Sequence, residues 1–103
     1  MNDQQALRVE SNIGAIMGYL AGRFEGFVLE VKEHPSRKAL FILTNRKSGD
    51  CFTLDVGWSK LSDIGNTAAV TQRKLTEQDL GEQLRHSTGT YLWITPTPPE
   101  DKG

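Results

Sequence analysis

The chain is predicted to fold as an α+β domain: a three-stranded antiparallel meander, extended by one or two further strands, with an N-terminal helix packed on one face and a short second helix. Three observations carry this prediction. Three β-rich runs follow one another within residues 24–58, separated only by short clusters of turn residues. Residues 4–21 carry apolar side chains at three- and four-residue steps, the spacing of a helix with one buried side. Beyond Trp58 the strand pattern stops, and a capping signature at Thr76 opens a second helix. Residues 1–95 are expected to form a single domain and residues 96–103 a disordered tail. A chain of 103 residues builds one core with little stability to spare.

In the first helix Ala6, Val9, Ile13, Ile16, Met17 and Leu20 fall on one side. The same segment holds Gly14, Gly18 and Gly22, each four apart. A glycine weakens a helix by about 1 kcal/mol relative to alanine, so the stripe asks for a reason. Close packing of the helix on its own sheet is the simpler one. Contact between Gly14 and Gly18 and a second copy of the helix is the other.

The turns set the strand register. His34-Pro35-Ser36-Arg37 fits a four-residue turn, with Pro35 supplying the fixed φ, and it pairs Glu33 with Lys38. Lys47-Ser48-Gly49 fits a three-residue turn with Gly49 in the left-handed position. This register aligns Phe27, Leu29 and Val31 with Leu40, Ile42 and Thr44, and with Phe52, Leu54 and Val56; eight of these nine residues are apolar. The first helix is therefore expected against Phe27, Leu29, Leu40, Ile42 and Leu54.

After Trp58 the signals weaken. Residues 59–65 read as a turn-rich connection, and residues 66–73 as a short strand or irregular loop. Thr76-Glu77-Gln78-Asp79 opens a helix over residues 77–87 that has only Leu80 and Leu84 as an apolar stripe. Residues 90–95 form a last strand, with Leu92 and Ile94 on one side and Tyr91 and Trp93 on the other. The proline-rich residues 96–103 cannot continue a ladder.

In the same register the second sheet face carries Val28, Glu30 and Lys32, then Ala39, Phe41 and Leu43, then Cys51, Thr53 and Asp55. Leaving Phe41 and Leu43 exposed forgoes about 1.5–3 kcal/mol each, so a cover is expected: residues 59–75 folding back, closure into a small barrel, or a second chain. Interface candidates are Val28, Phe41 and Leu43, joined by Tyr91 and Trp93 if the last strand lies alongside, with Gly14 and Gly18 as a second patch. Glu30 and Asp55 flank Phe41 about 10 Å apart and offer an acid/base pair; charges that guard sheet edges explain them as well.

Other chemistry is sparse. Cys51 lies just past a hairpin and reads as a small half-buried packing residue; as the lone cysteine it forms no internal disulfide. His34 reads as a turn residue, and His86 as a favourable charge at a helix C-terminus. No metal or cofactor is expected. Tyr91 and Trp93 resemble a stacking platform for single-stranded nucleic acid. However, the basic pairs Arg37-Lys38 and Arg46-Lys47 sit at opposite ends of one strand, about 25 Å apart. Twelve basic residues against thirteen acidic ones give no basic surface either, so nucleic acid is not the expected partner.

Residues 1–5 are polar and lack the pattern of a signal peptide, and residues 13–20 are too short an apolar run to span a membrane. The expectation is a small cytoplasmic, non-enzymatic binding or adaptor protein. It would act as a homo-oligomer, with a dimer favoured, or through a protein partner on its second sheet face. A weak single-strand nucleic-acid binder and a small enzyme using Glu30 and Asp55 are the alternatives.

Overall fold

The computed structural model describes residues 3–34, 38–63, 65, 67–87 and 90–92. Along the chain these form α1 (Asp3–Arg23), β1 (Val28–His34), β2 (Lys38–Thr44), β3 (Cys51–Gly57), α2 (Trp58–Leu61), α3 (Ala68–Glu77), α4 (Leu80–Arg85) and β4 (Thr90–Leu92). The class is α+β, as predicted. The sheet is mixed, in the order β1-β2-β3-β4: the first three strands form the antiparallel meander, and β4 adds parallel to β3. A parallel neighbour requires a crossover, which α2, α3 and α4 supply. The expected turn at residues 35–37, Trp93, Ile94 and the tail at 96–103 lie outside the described residues.

Helix α1 buries Val9, Asn12, Ala15, Ile16, Tyr19 and Leu20. Met17, expected on this side, is 38% exposed, and Ile13 is half-buried. The glycines do not pack on the sheet. An added Cβ at Gly14 or Gly22 would meet nothing within 4 Å, and at Gly18 its nearest neighbour would be Gln72 Nε2 of α3 at 3.5 Å. The stripe is on the outer side of the helix, with exposed Leu7.

The strand register corrects the expected faces. His34 pairs with Lys38, leaving three residues between them rather than four. At the second hairpin Asn45 N–H donates to Asp50 O at 2.9 Å, leaving a four-residue loop rather than three. The Asn45 side chain builds that loop: Oδ1 accepts from Lys47 N at 2.9 Å and Ser48 N at 3.2 Å. Gly49 takes the expected left-handed conformation, at φ +80°.

The two one-residue differences add to a two-residue slide of β3 along β1, which brings Leu29 level with Phe52 rather than Leu54 and, being even, leaves their facing unchanged. Strands β1 and β3 keep their expected faces, with Leu29, Val31, Phe52, Leu54 and Val56 toward the helices, and β2 alone turns over. Phe41 lies between Val31 and Leu54, and Leu43 between Leu29 and Phe52. Ala39, Phe41 and Leu43 are buried at 0%, 0% and 1% exposure, while Leu40 and Ile42 are half-buried on the other side. The cause is the composition of β2, which is apolar on both sides from Ala39 to Leu43. Alternation alone cannot choose its face, so the turns choose.

The crossover also differs from expectation. In place of the short strand or irregular loop expected over 66–73, residues 68–73 open α3, whose N-cap Thr67 accepts from Val70 N at 3.2 Å. Thr76 is inside this helix, its hydroxyl donating to Gln72 O at 3.0 Å, and is no cap. Helix α4 starts after Asp79, which adopts left-handed angles (φ 52°, ψ 49°) at the break between the two helices.

Asn12, 1% exposed, joins three helices: its Nδ2 donates to Leu61 O of α2 at 2.7 Å, and its Oδ1 accepts from Thr71 Oγ1 of α3 at 2.5 Å. Tyr19 Oη accepts from Gly81 N at 2.9 Å, and Arg85 Nη2 donates to Arg23 O at 2.6 Å, tying α4 to the end of α1. A Cβ at Gly81 would lie 3.3 Å from Tyr19 Oη, so the two helices meet closely there. Leu61, Leu75, Leu80 and Leu84 thus join Ile16, Leu20, Phe24, Phe41, Leu43 and Leu54 in one cluster. Helices α2 and α3 cover the same face as α1, not the opposite one.

Because nothing approaches Gly14, Gly14→Ala is expected to raise unfolding stability by about 0.5–1 kcal/mol, read from urea melts. A loss of stability would show that this side of α1 is packed.

Candidate functional site

Among the described residues all four helices lie on one side of the sheet, and its outer face is the surface they leave over. It carries Val28, Glu30 and Lys32 from β1, Lys38, Leu40, Ile42 and Thr44 from β2, and Cys51, Thr53 and Asp55 from β3. Leu40 and Ile42 are half-buried and stay outside the core cluster; Val28 is 57% exposed. Together they form an apolar line that runs along β2 and crosses to Val28 on β1. There a shallow depression of about 260 Å³ is lined by Gly26, Val28, Asn45, Arg46 and Lys47. The cations of Arg46 and Lys47 therefore stand beside the apolar end of the line, and both residues are exposed.

At the far end, Lys38 Nζ and Asp55 Oδ2 form an ion pair at 3.1 Å. The Asp55 side chain is 10% exposed and that of Lys38 35%. A carboxylate at this depth is stabilised by a partner in contact, and removing Lys38 would leave it desolvated and unpaired. Glu30 is exposed on β1, opposite Ile42. The two carboxylates thus flank Leu40 and Ile42, not Phe41, and Asp55 is already engaged by Lys38.

Of the candidate interface residues, the structure keeps Val28 on the outer face and moves Phe41 and Leu43 into the core. Tyr91 sits opposite Leu54, packs against the core cluster and donates its hydroxyl hydrogen bond to Gln83 Oε1 of α4. Phe41 is fully buried and Tyr91 half-buried. Gly14 and Gly18 are exposed on α1, away from the sheet. Cys51 is exposed rather than half-buried, with Sγ 3.9 Å from Thr44 Oγ1. His86 stands at the C-terminal end of α4, the position expected, with Nε2 3.1 Å from Glu82 Oε1. Among the described residues, no cluster of three or more His, Cys, Asp or Glu side chains could hold a metal, and no helix is long and apolar enough to cross a membrane.

Sequence reasoning passed over Leu40 and Ile42 as surface residues because it assigned them to the core. It also passed over Lys60 on α2. Partial burial and the neighbouring charge of Lys74, partly offset by Asp63, lower the Lys60 pKa from 10.5 to about 8. No local motif marks this lysine, because its setting depends on α2 and α3 being helices.

The folded chain releases the Lys60 proton at about pH 8, while the unfolded chain holds it to 10.5. Stability from this group is therefore full above 10.5 and declines as pH falls, with the whole cost present below about 8. Lys60→Met is expected to raise the urea midpoint at pH 7, with the gain over the parent narrowing by pH 10. A gain that does not change with pH would contradict this. Among known proteins, no family model, curated protein or solved structure matches the chain.

Proposed function

We propose that the protein is a non-catalytic binding module that docks a protein segment on the outer face of its sheet. One observation carries this reading: among the described residues the helices cover one face only, leaving half-buried Leu40 and Ile42 and exposed Val28 on the other. Uncovered apolar strips with a polar rim mark protein interaction surfaces. The rim also indicates the chemistry of the occupant. Arg46 and Lys47 flank the depression at Val28, while Lys38 is neutralised by Asp55 at the opposite end. A segment with apolar side chains along its length and a carboxylate at one end complements this arrangement.

The test is a displayed random-peptide library selected on the folded chain. Enriched peptides are expected to combine apolar residues with Asp or Glu, to lose binding to Ile42→Lys, and to bind Arg46→Glu/Lys47→Glu several-fold more weakly. No enrichment, or equal binding to Ile42→Lys, would overturn the proposal.

A further inference from the structure

We propose that β1 is a dimerisation edge, pairing antiparallel with β1 of a second copy about a twofold axis at Val31. The proposal stands on the strand's position and charge pattern and does not depend on what the outer face binds. Among the described residues β1 has a neighbour on one side only. It runs for seven residues in unbroken register without proline or glycine, so no kink or bulge interrupts the edge. A row of backbone donors and acceptors along such an edge is a template for another strand.

Its charges select the strand that fits. A twofold axis perpendicular to the sheet pairs each residue with the one equally far on the other side of the axis. Centred on Val31, it sets Glu30 of each copy opposite Lys32 of the other, giving two opposite-charge pairs on the outer face. Centred one residue to either side, it sets Glu30 against Glu30 or Lys32 against Lys32. Charges on an edge ordinarily deter pairing; two of opposite sign, placed symmetrically about Val31, deter the neighbouring registers and favour this one. Glu30 and Lys32 are exposed and free of the core, while Val31 is half-buried on the helix-facing side and would meet its own copy there. A second copy is thus the occupant whose charges match. The product is an eight-stranded sheet in which both outer faces run together and both helical layers lie on the other side.

Sedimentation of the full chain tests this. The parent is expected to dimerise at high micromolar concentration, and Lys32→Glu and Glu30→Lys each to weaken dimerisation by about tenfold or more. An equimolar mixture of the two variants, or the double variant Glu30→Lys/Lys32→Glu, restores both opposite-charge pairs and is expected to recover the dimer. Ile42→Lys, which lies off the edge, is expected to leave it intact, so a failure here is distinct from a failure of the outer-face reading. A monomeric parent, single variants that dimerise like the parent, or a double variant as weak as the singles would overturn the proposal. A dimer broken by Ile42→Lys but not by Lys32→Glu would do the same, since the copies would then meet face to face.

Discussion

The structure turns on a central strand with more apolar surface than its helices can cover. Strand β2 is apolar on both sides, and each large apolar side chain left exposed forgoes about 1.5–3 kcal/mol of burial. Four helices are present among the described residues, and all contribute to one face. That face takes Ala39, Phe41 and Leu43, with Phe41 at 0% exposure. Leu40 and Ile42 are left half-buried on the other side. The same choice therefore fixes the core and defines the open surface.

The helical layer is held on that side by polar contacts as well as by packing. Asn12 is buried, and the amide it carries would be costly there without partners. It finds them in the Leu61 carbonyl and the Thr71 hydroxyl, so α2 and α3 cannot shift along α1 without breaking a buried hydrogen bond. At the other end of α1, Arg85 bonds the Arg23 carbonyl and lies with its guanidinium carbon 4.4 Å from the Phe24 ring centroid. Phe24 in turn packs edge-on against Phe27, at 5.4 Å between ring centroids. These contacts bring the chain back to place β4 beside β3 and leave β1, among the described residues, at the edge of the sheet.

Much of this was legible in the residues. The periodicity of α1, the three meander strands and the left-handed Gly49 all follow from local patterns. The register of β2 did not, because its two faces are equally apolar and the deciding signal was the Asn45 side chain, which bonds two backbone N–H groups and lengthens the loop. Helix α3 was missed because its buried stripe among the described side chains is Thr71 and Leu75, too thin to show a period. Thr76 followed by Asp79 imitated a helix start, while the working cap was Thr67. For the candidate site, Val28, Glu30 and Asp55 were assigned to the correct face, whereas Phe41 and Leu43 exchanged places with Leu40 and Ile42.

The central claim is therefore that β2 presents Leu40 and Ile42 outward and Phe41 and Leu43 to the helices. A methyl-resolved nuclear Overhauser spectrum measures this directly. Leu43 methyls should show contacts to the Phe52 ring, and Ile42 methyls contacts to Thr53 and none to α1 side chains. Contacts between Leu40 or Ile42 methyls and Ile16, Leu20 or Phe24 would place the other face of β2 in the core and contradict the account.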